Sequence, residues 1–143
     1  MATETRRSYG DYTQALIDDF RAHGGNVTEG PFTGRQVLLL ETVGARTGER
    51  RLTPLVYTRD GDRYVIVASK GGAPSNPAWY HNILANPRVT IEVGSERFEA
   101  DATVAPDDER RRLYDGHAEL HPSFRDYERK TARTIPVITL RRV

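Results

Sequence analysis

The sequence predicts an antiparallel α+β domain, shaped to suit a small barrel. Two observations carry this. About six apolar or alternating segments have strand length, and most are separated by hairpin signals such as Asp60–Gly61 and Gly94–Ser95. Most consecutive strands are hairpin-linked, with only a few helices, whereas parallel βαβ units would require a crossover helix between consecutive strands.

Taken in order, Tyr12, Ala15, Leu16 and Phe20 recur at helical spacing and Gly24–Gly25 ends the run, which predicts a helix over about 11–22. Gly30–Gly34 is a loop containing Pro31. Val37–Val43 is an apolar block fit for a buried strand, Gly44–Gly48 a glycine-bounded turn, and Leu52–Arg59 the returning strand. Asp60–Gly61 then links Val56–Thr58 to Tyr64–Ala68. Lys70–Pro74, with two glycines and a proline, excludes long regular structure.

Asn76 reads as an N-cap with Pro77 in the first helical position, opening a short helix through Trp79, Tyr80, Ile83 and Leu84 that Asn86–Pro87 stops. Val89–Val93 and Phe98–Val104 alternate like half-buried strands. Pro106–Leu120 is helical, with Asp107, Asp108 and Glu109 where the helix dipole favours acids. A short helix carries Tyr127, and Ile135–Leu140 is the final strand. At 143 residues, without a linker or repeat, one domain over residues 1–143 is expected, with residues 1–35 forming the N-terminal helix and loop.

Composition removes several function classes. Lys and Arg number 21 against 20 Asp and Glu, so no global charge draws the chain to nucleic acid or membrane, and anion recognition must be local. The absence of Cys excludes disulfides, a thiolate nucleophile and Cys-ligated metal. The opening MATETRRSYG lacks a signal-peptide core, and no apolar run approaches the ~20 residues needed to span a bilayer, so a cytoplasmic protein is expected.

Three segments could carry chemistry. Gly44 to Arg51 joins a tight turn to three arginines and could seat a phosphate or carboxylate, or be an ordinary polar turn. Ala68-Ser69-Lys70-Gly71-Gly72 could bring backbone close to a ligand, or simply permit a flexible loop. At Asn76 to Asn82 a helix N-terminus could face an anion, or Trp79 and Ile83 could merely pin the helix to the core. His117 and His121 have helical metal-ligand spacing but lack a His-Glu-x-x-His context and a third ligand, so no metal is expected. No Gly-x-Ser-x-Gly elbow and no carboxylate dyad is present.

In sequence, Leu38 to Gly48, Thr53-Pro54-Leu55, Ala68 to Gly72 and Asn76 to Pro87 closely resemble the deazaflavin-dependent nitroreductases of actinobacteria, a likeness running from about Leu38 to Leu140. The resemblance implies a six- to seven-stranded antiparallel split β-barrel with flanking helices, which binds the deazaflavin coenzyme F420. It implies that the phosphate and oligoglutamate tail lies along Ala45, Arg46, Thr47, Arg51 and Lys70. Leu52, Thr53, Pro54, Leu55 and Val56, with Val67, Ala68 and Ser69, would meet the deazaflavin ring. Ala78, Trp79, Tyr80, His81 and Asn82 would present the helix N-terminus to the cofactor.

The implied reaction is hydride transfer from the reduced cofactor to a quinone, nitroaromatic or activated alkene, which fits the missing acid–base pair: the cofactor brings the chemistry and the protein positions it. Where nitro-reducing relatives carry several tyrosines over the substrate, this chain has His121, Phe124 and Tyr127. Only Tyr127 keeps a phenol to act as proton donor, which weakens the implication of nitro reduction but leaves that of cofactor binding. Alternatives are an FMN-dependent split-barrel reductase and a non-catalytic cofactor or lipid carrier. A monomer or homodimer is expected, with peripheral contact at the inner membrane face where a lipid quinone is handled.

Overall fold

The computed structural model describes residues 10–143. The opening segment expected to lack a signal-peptide core lies, but for Gly10, outside them. Among the described residues, seven strands form one wholly antiparallel sheet: β1 (Val37–Val43), β2 (Arg50–Val56), β3 (Thr58–Asp60), β4 (Arg63–Val67), β5 (Arg88–Val93), β6 (Glu96–Val104) and β7 (Val137–Arg142). Four helices accompany it: α1 (Asp11–Ala22), α2 (Ala78–Ala85), α3 (Asp107–Leu120) and α4 (Ser123–Lys130). None is long and apolar enough to cross a membrane.

The strand order is β2-β1-β5-β6-β7-β4-β3, which places β2 and β3 at opposite edges. Yet only Tyr57 separates them in the chain, and its amide donates to the Gln36 carbonyl at 3.0 Å. Edges joined by one residue force the sheet to curl until they nearly meet, giving a half-barrel. The single strand expected over Leu52–Arg59 is therefore corrected to two, divided at Tyr57. Alternation along a strand carries no mark of a change of sheet edge.

The pleat sends successive residues to two cores. From β1, Val37 and Leu39 join Leu16, Ile17 and Phe20 of α1 with Leu113, Tyr114 and Phe124; Leu38 and Leu40 face the other way, onto Trp79 and Ile83 of α2. Burial on both sides explains the uninterrupted apolar run at Val37–Leu40.

Two further boundaries move. Pro77 is extended (φ −69°, ψ 157°) and is itself the cap of α2, while Asn76 Oδ1 accepts from Arg133 Nη1 at 2.6 Å instead of capping. The last strand begins at Val137, not Ile135, because the Ile135 carbonyl accepts from Arg110 Nε at 2.7 Å.

Candidate functional site

The β1–β2 connection is a built turn. Gly44 N–H donates to the Glu49 carbonyl at 2.7 Å, Gly48 N–H to the Gly44 carbonyl at 3.0 Å, and Glu49 N–H to Thr47 Oγ1 at 3.1 Å. Gly48 takes the left-handed conformation that this closure needs (φ 72°). The Arg46 and Thr47 amides make no hydrogen bond among the described residues. Asn82, buried on α2, ties the helix to this turn through both halves of its amide: Oδ1 accepts from Ala45 N–H at 3.0 Å and Nδ2 donates to Thr42 Oγ1 at 3.1 Å.

Between turn and helix lies a cleft of about 710 Å³, lined by Gly44 to Thr47, Arg51, Thr53, Ala78, Trp79, His81 and Asn82. Among the described residues no carboxylate lines it. Arg46 has no ion-pair partner among the described residues, whereas nearby Arg50 and Arg97 both reach Glu41, at 3.3 and 3.1 Å. The amino end of α2 adds its dipole and unbonded N–H groups. The electrostatics are those of a receptacle for an anion with a flat or apolar body beside it.

Other expected residues fall elsewhere. Alternation divides Leu52 to Val56: Leu52 and Val56 enter the first core, Leu55 packs on the second, and Pro54 faces a groove between β2 and α1. Their side chains are thus divided between the two faces of β2. Val67 and Ala68 are likewise split between the cores. Tyr80 is half-buried and stacks edge-on against His81, ring centroids 5.6 Å apart. Trp79 lines the cleft and belongs to the second core, so the pinning role and the site role coexist.

Lys70 is exposed and does not line the cleft. It sits in a single 3₁₀ turn, Lys70–Gly72, and at φ 49° is the only described non-glycine residue with positive φ. Such strain persists only where surroundings enforce it. Here they do: Arg133 donates to the carbonyls of Ser69 (2.8 Å), Ala73 (2.9 Å) and Ala68 (3.3 Å) as well as to Asn76 Oδ1. One guanidinium thus shapes the whole loop between β4 and α2. The sequence reading missed Arg133, since nothing local marks a residue whose partners lie 57 to 65 positions away.

Of the expected substrate segment, His121 and Phe124 are buried, at 1% and 7% exposure. Tyr127 is half-exposed; its ring stacks on Phe124 with centroids 5.0 Å apart, and its backbone abuts Gly72, where an added Cβ would meet its carbonyl oxygen at 2.9 Å.

Fold and cleft together define a class: a curled antiparallel half-barrel whose β1–β2 turn and short helix frame a cationic recess. Comparison with known proteins makes this particular. The model of the F420H(2)-dependent quinone reductase family matches residues 14–142, and the chain belongs to that family. An F420H(2)-dependent quinone reductase of Mycobacterium tuberculosis is 49% identical over 108 residues, 73% of this chain and 72% of that protein. A solved F420-H2 dependent reductase is 36% identical with a TM-score of 0.68, covering 74% of this chain and 94% of its own. A solved structure described as a domain-swapped dimer is 30% identical with a TM-score of 0.69, covering 98% and 99%.

Proposed function

We propose that the protein transfers a hydride from reduced coenzyme F420 to a quinone. One observation carries the reading beyond family membership: the Arg46 guanidinium, the Arg46 and Thr47 amides and the amino end of α2 all frame one cleft, and among the described residues neither that guanidinium nor those two amides has a partner and no carboxylate opposes them. This donor set fits a cofactor that ends in a phosphate and a chain of carboxylates. When bound, reduced F420 supplies the hydride.

The residues of the chain then have distinct tasks. Arg46 and the turn amides hold the tail, with Arg51 beside them. Thr53 and Trp79 flank the body of the cleft, and the Asn82 strut fixes the distance between its walls. The groove between α1 and β2, formed in part by Tyr12, Leu16, Phe32 and Pro54, adjoins the cleft through shared Arg51 and Thr53 and offers an apolar approach for the acceptor. Tyr127, beside the Lys70–Gly72 turn, is the proposed source of the proton that completes the quinol. Peripheral membrane contact belongs to this proposal as the route to a lipid quinone, and flotation with liposomes tests it.

Family membership favours this reading over FMN dependence. The decisive assay is single-turnover oxidation of the protein's bound reduced cofactor by menadione. Oxidation faster than the protein-free rate is expected; rates equal to that background across several quinones would leave a carrier.

A further inference from the structure

At the end of β1 opposite the cleft lies a second cavity, of about 270 Å³, bounded by Gly24, Gly25, Gly34, Gly94, Arg35 and Tyr57. The seven residues of β1 separate the two sites by about 20 Å. Backbone packing preforms the cavity. Gly25 lies so close to the β5–β6 turn that a Cβ would stand 2.5 Å from Gly94 Cα.

Arg35 is half-buried, and its only side-chain partner among the described residues is neutral. Its Nε and Nη2 point at His121 Nδ1, at 3.3 and 3.0 Å. A guanidinium can only donate, so Nδ1 accepts and the imidazole proton sits on Nε2, which donates to the Tyr57 carbonyl at 3.1 Å. Burial, opposed by the Tyr57 hydrogen bond and aided by the Arg35 charge, holds the His121 pKa below its usual value. By contrast Arg63, also half-buried, meets both Asp60 and Glu109.

His121 occupies one edge of the Arg35 guanidinium. The other edge, Nη1 with the second Nη2 hydrogen, is unused by the described residues and has the parallel-donor geometry that grips an oxyanion. We propose that this cavity is a second anion site, taking a compact oxyanion such as phosphate or a small carboxylate through Arg35. At ~30 Å³ per water the space corresponds to on the order of nine waters, which suits a small anion. Sequence gave no hint of it, because Arg35 and His121 lie 86 positions apart. The site is independent of the hydride-transfer reading.

Inorganic phosphate, titrated at constant ionic strength into the Arg46→Gln protein, tests the proposal without interference from the cleft. The readout is the amide spectrum of the labelled protein. Saturable shifts of the Gly24, Gly25, Gly34 and Gly94 resonances are expected, weakened about tenfold or more by Arg35→Gln. Shifts confined to Gly44 and Gly48, or linear drift without saturation, would overturn it. If Arg35→Gln fails to fold, the pattern of shifting glycines in the Arg46→Gln protein alone decides.

Discussion

Asn82 accepts the Ala45 amide hydrogen at 3.0 Å and so locks the β1–β2 turn to α2. Its other amide group donates to Thr42 Oγ1, buried like itself. Replacing it with Leu strands the buried Thr42 hydroxyl, at about 1–3 kcal/mol, and leaves the exposed Ala45 N–H to solvent. Asn82→Leu should lower the urea midpoint and weaken F420 binding. Asn82→Asp keeps the oxygen acceptor for Ala45 but sets a negative charge on the cleft wall, so it should recover part of the urea midpoint while weakening F420 binding further in the same titration.

Arg46 and Lys70 make no ion pair among the described residues, and one lies within the cleft and the other outside it. Removing Arg46 should raise the F420 dissociation constant about tenfold, or ~1.4 kcal/mol, with the folding midpoint unchanged, since its side chain is exposed. Lys70→Ala separates position from charge. If the tail extends past the cleft to the 3₁₀ turn, affinity falls and the thermal midpoint stays, because Ala meets the same backbone strain as Lys at φ 49° and the Lys70 side chain is exposed. Equal affinity of mutant and parent removes Lys70 from the site.

Arg133 should be a structural lever on the same loop. Arg133→Gln loses charge-assisted hydrogen bonds worth on the order of 1.5–3 kcal/mol each. Amide exchange at Lys70–Gly72 should accelerate, and cofactor affinity should fall with it. Exchange rates matching the parent would show that the turn holds its strain unaided.

Stability should also depend on pH through His117. The ring is fully buried, with Nδ1 3.1 Å from the Thr58 hydroxyl, and burial, followed by the repulsion a second proton on this His117–His121 pair would meet and by Arg35, lowers its pKa from 6.5 to about 3. The unfolded chain takes up this proton near 6.5 and the folded chain only near 3. The contribution is therefore complete above the higher value and lost as pH falls through that window, with a slope up to about 1.4 kcal/mol per pH unit. His117→Gln should flatten the curve of unfolding free energy against pH. His121, lowered chiefly by burial as well, leaves a residual slope in the same direction.

The cleft was legible where the relevant groups are close in sequence. Gly44 and Gly48 mark the turn, and Asn76-Pro77 marks the start of α2, though Pro77 rather than Asn76 caps it. Trp79 shows the limit of the either-or reading, since one side of its position is core and the other cleft wall. What stayed hidden depends on curvature and distance. The break at Tyr57 follows from the two sheet edges meeting, the division of Leu52 to Val56 from the pleat, and the roles of Arg35 and Arg133 from partners more than fifty residues away. The four-residue spacing of His117 and His121 suits metal ligands, but the fold buries both rings and turns them to the Thr58 hydroxyl and to Arg35 and the Tyr57 carbonyl, partners that spacing along the chain does not mark.

The central claim is that the cleft framed by Arg46 and α2 receives F420. The sole tryptophan of the chain, Trp79, lines that cleft, so its emission reports occupancy directly. Titration with F420 should quench it saturably, with a midpoint below that for FMN and raised by Arg46→Gln. Unchanged emission at saturating F420, or tighter binding of FMN, would contradict the account.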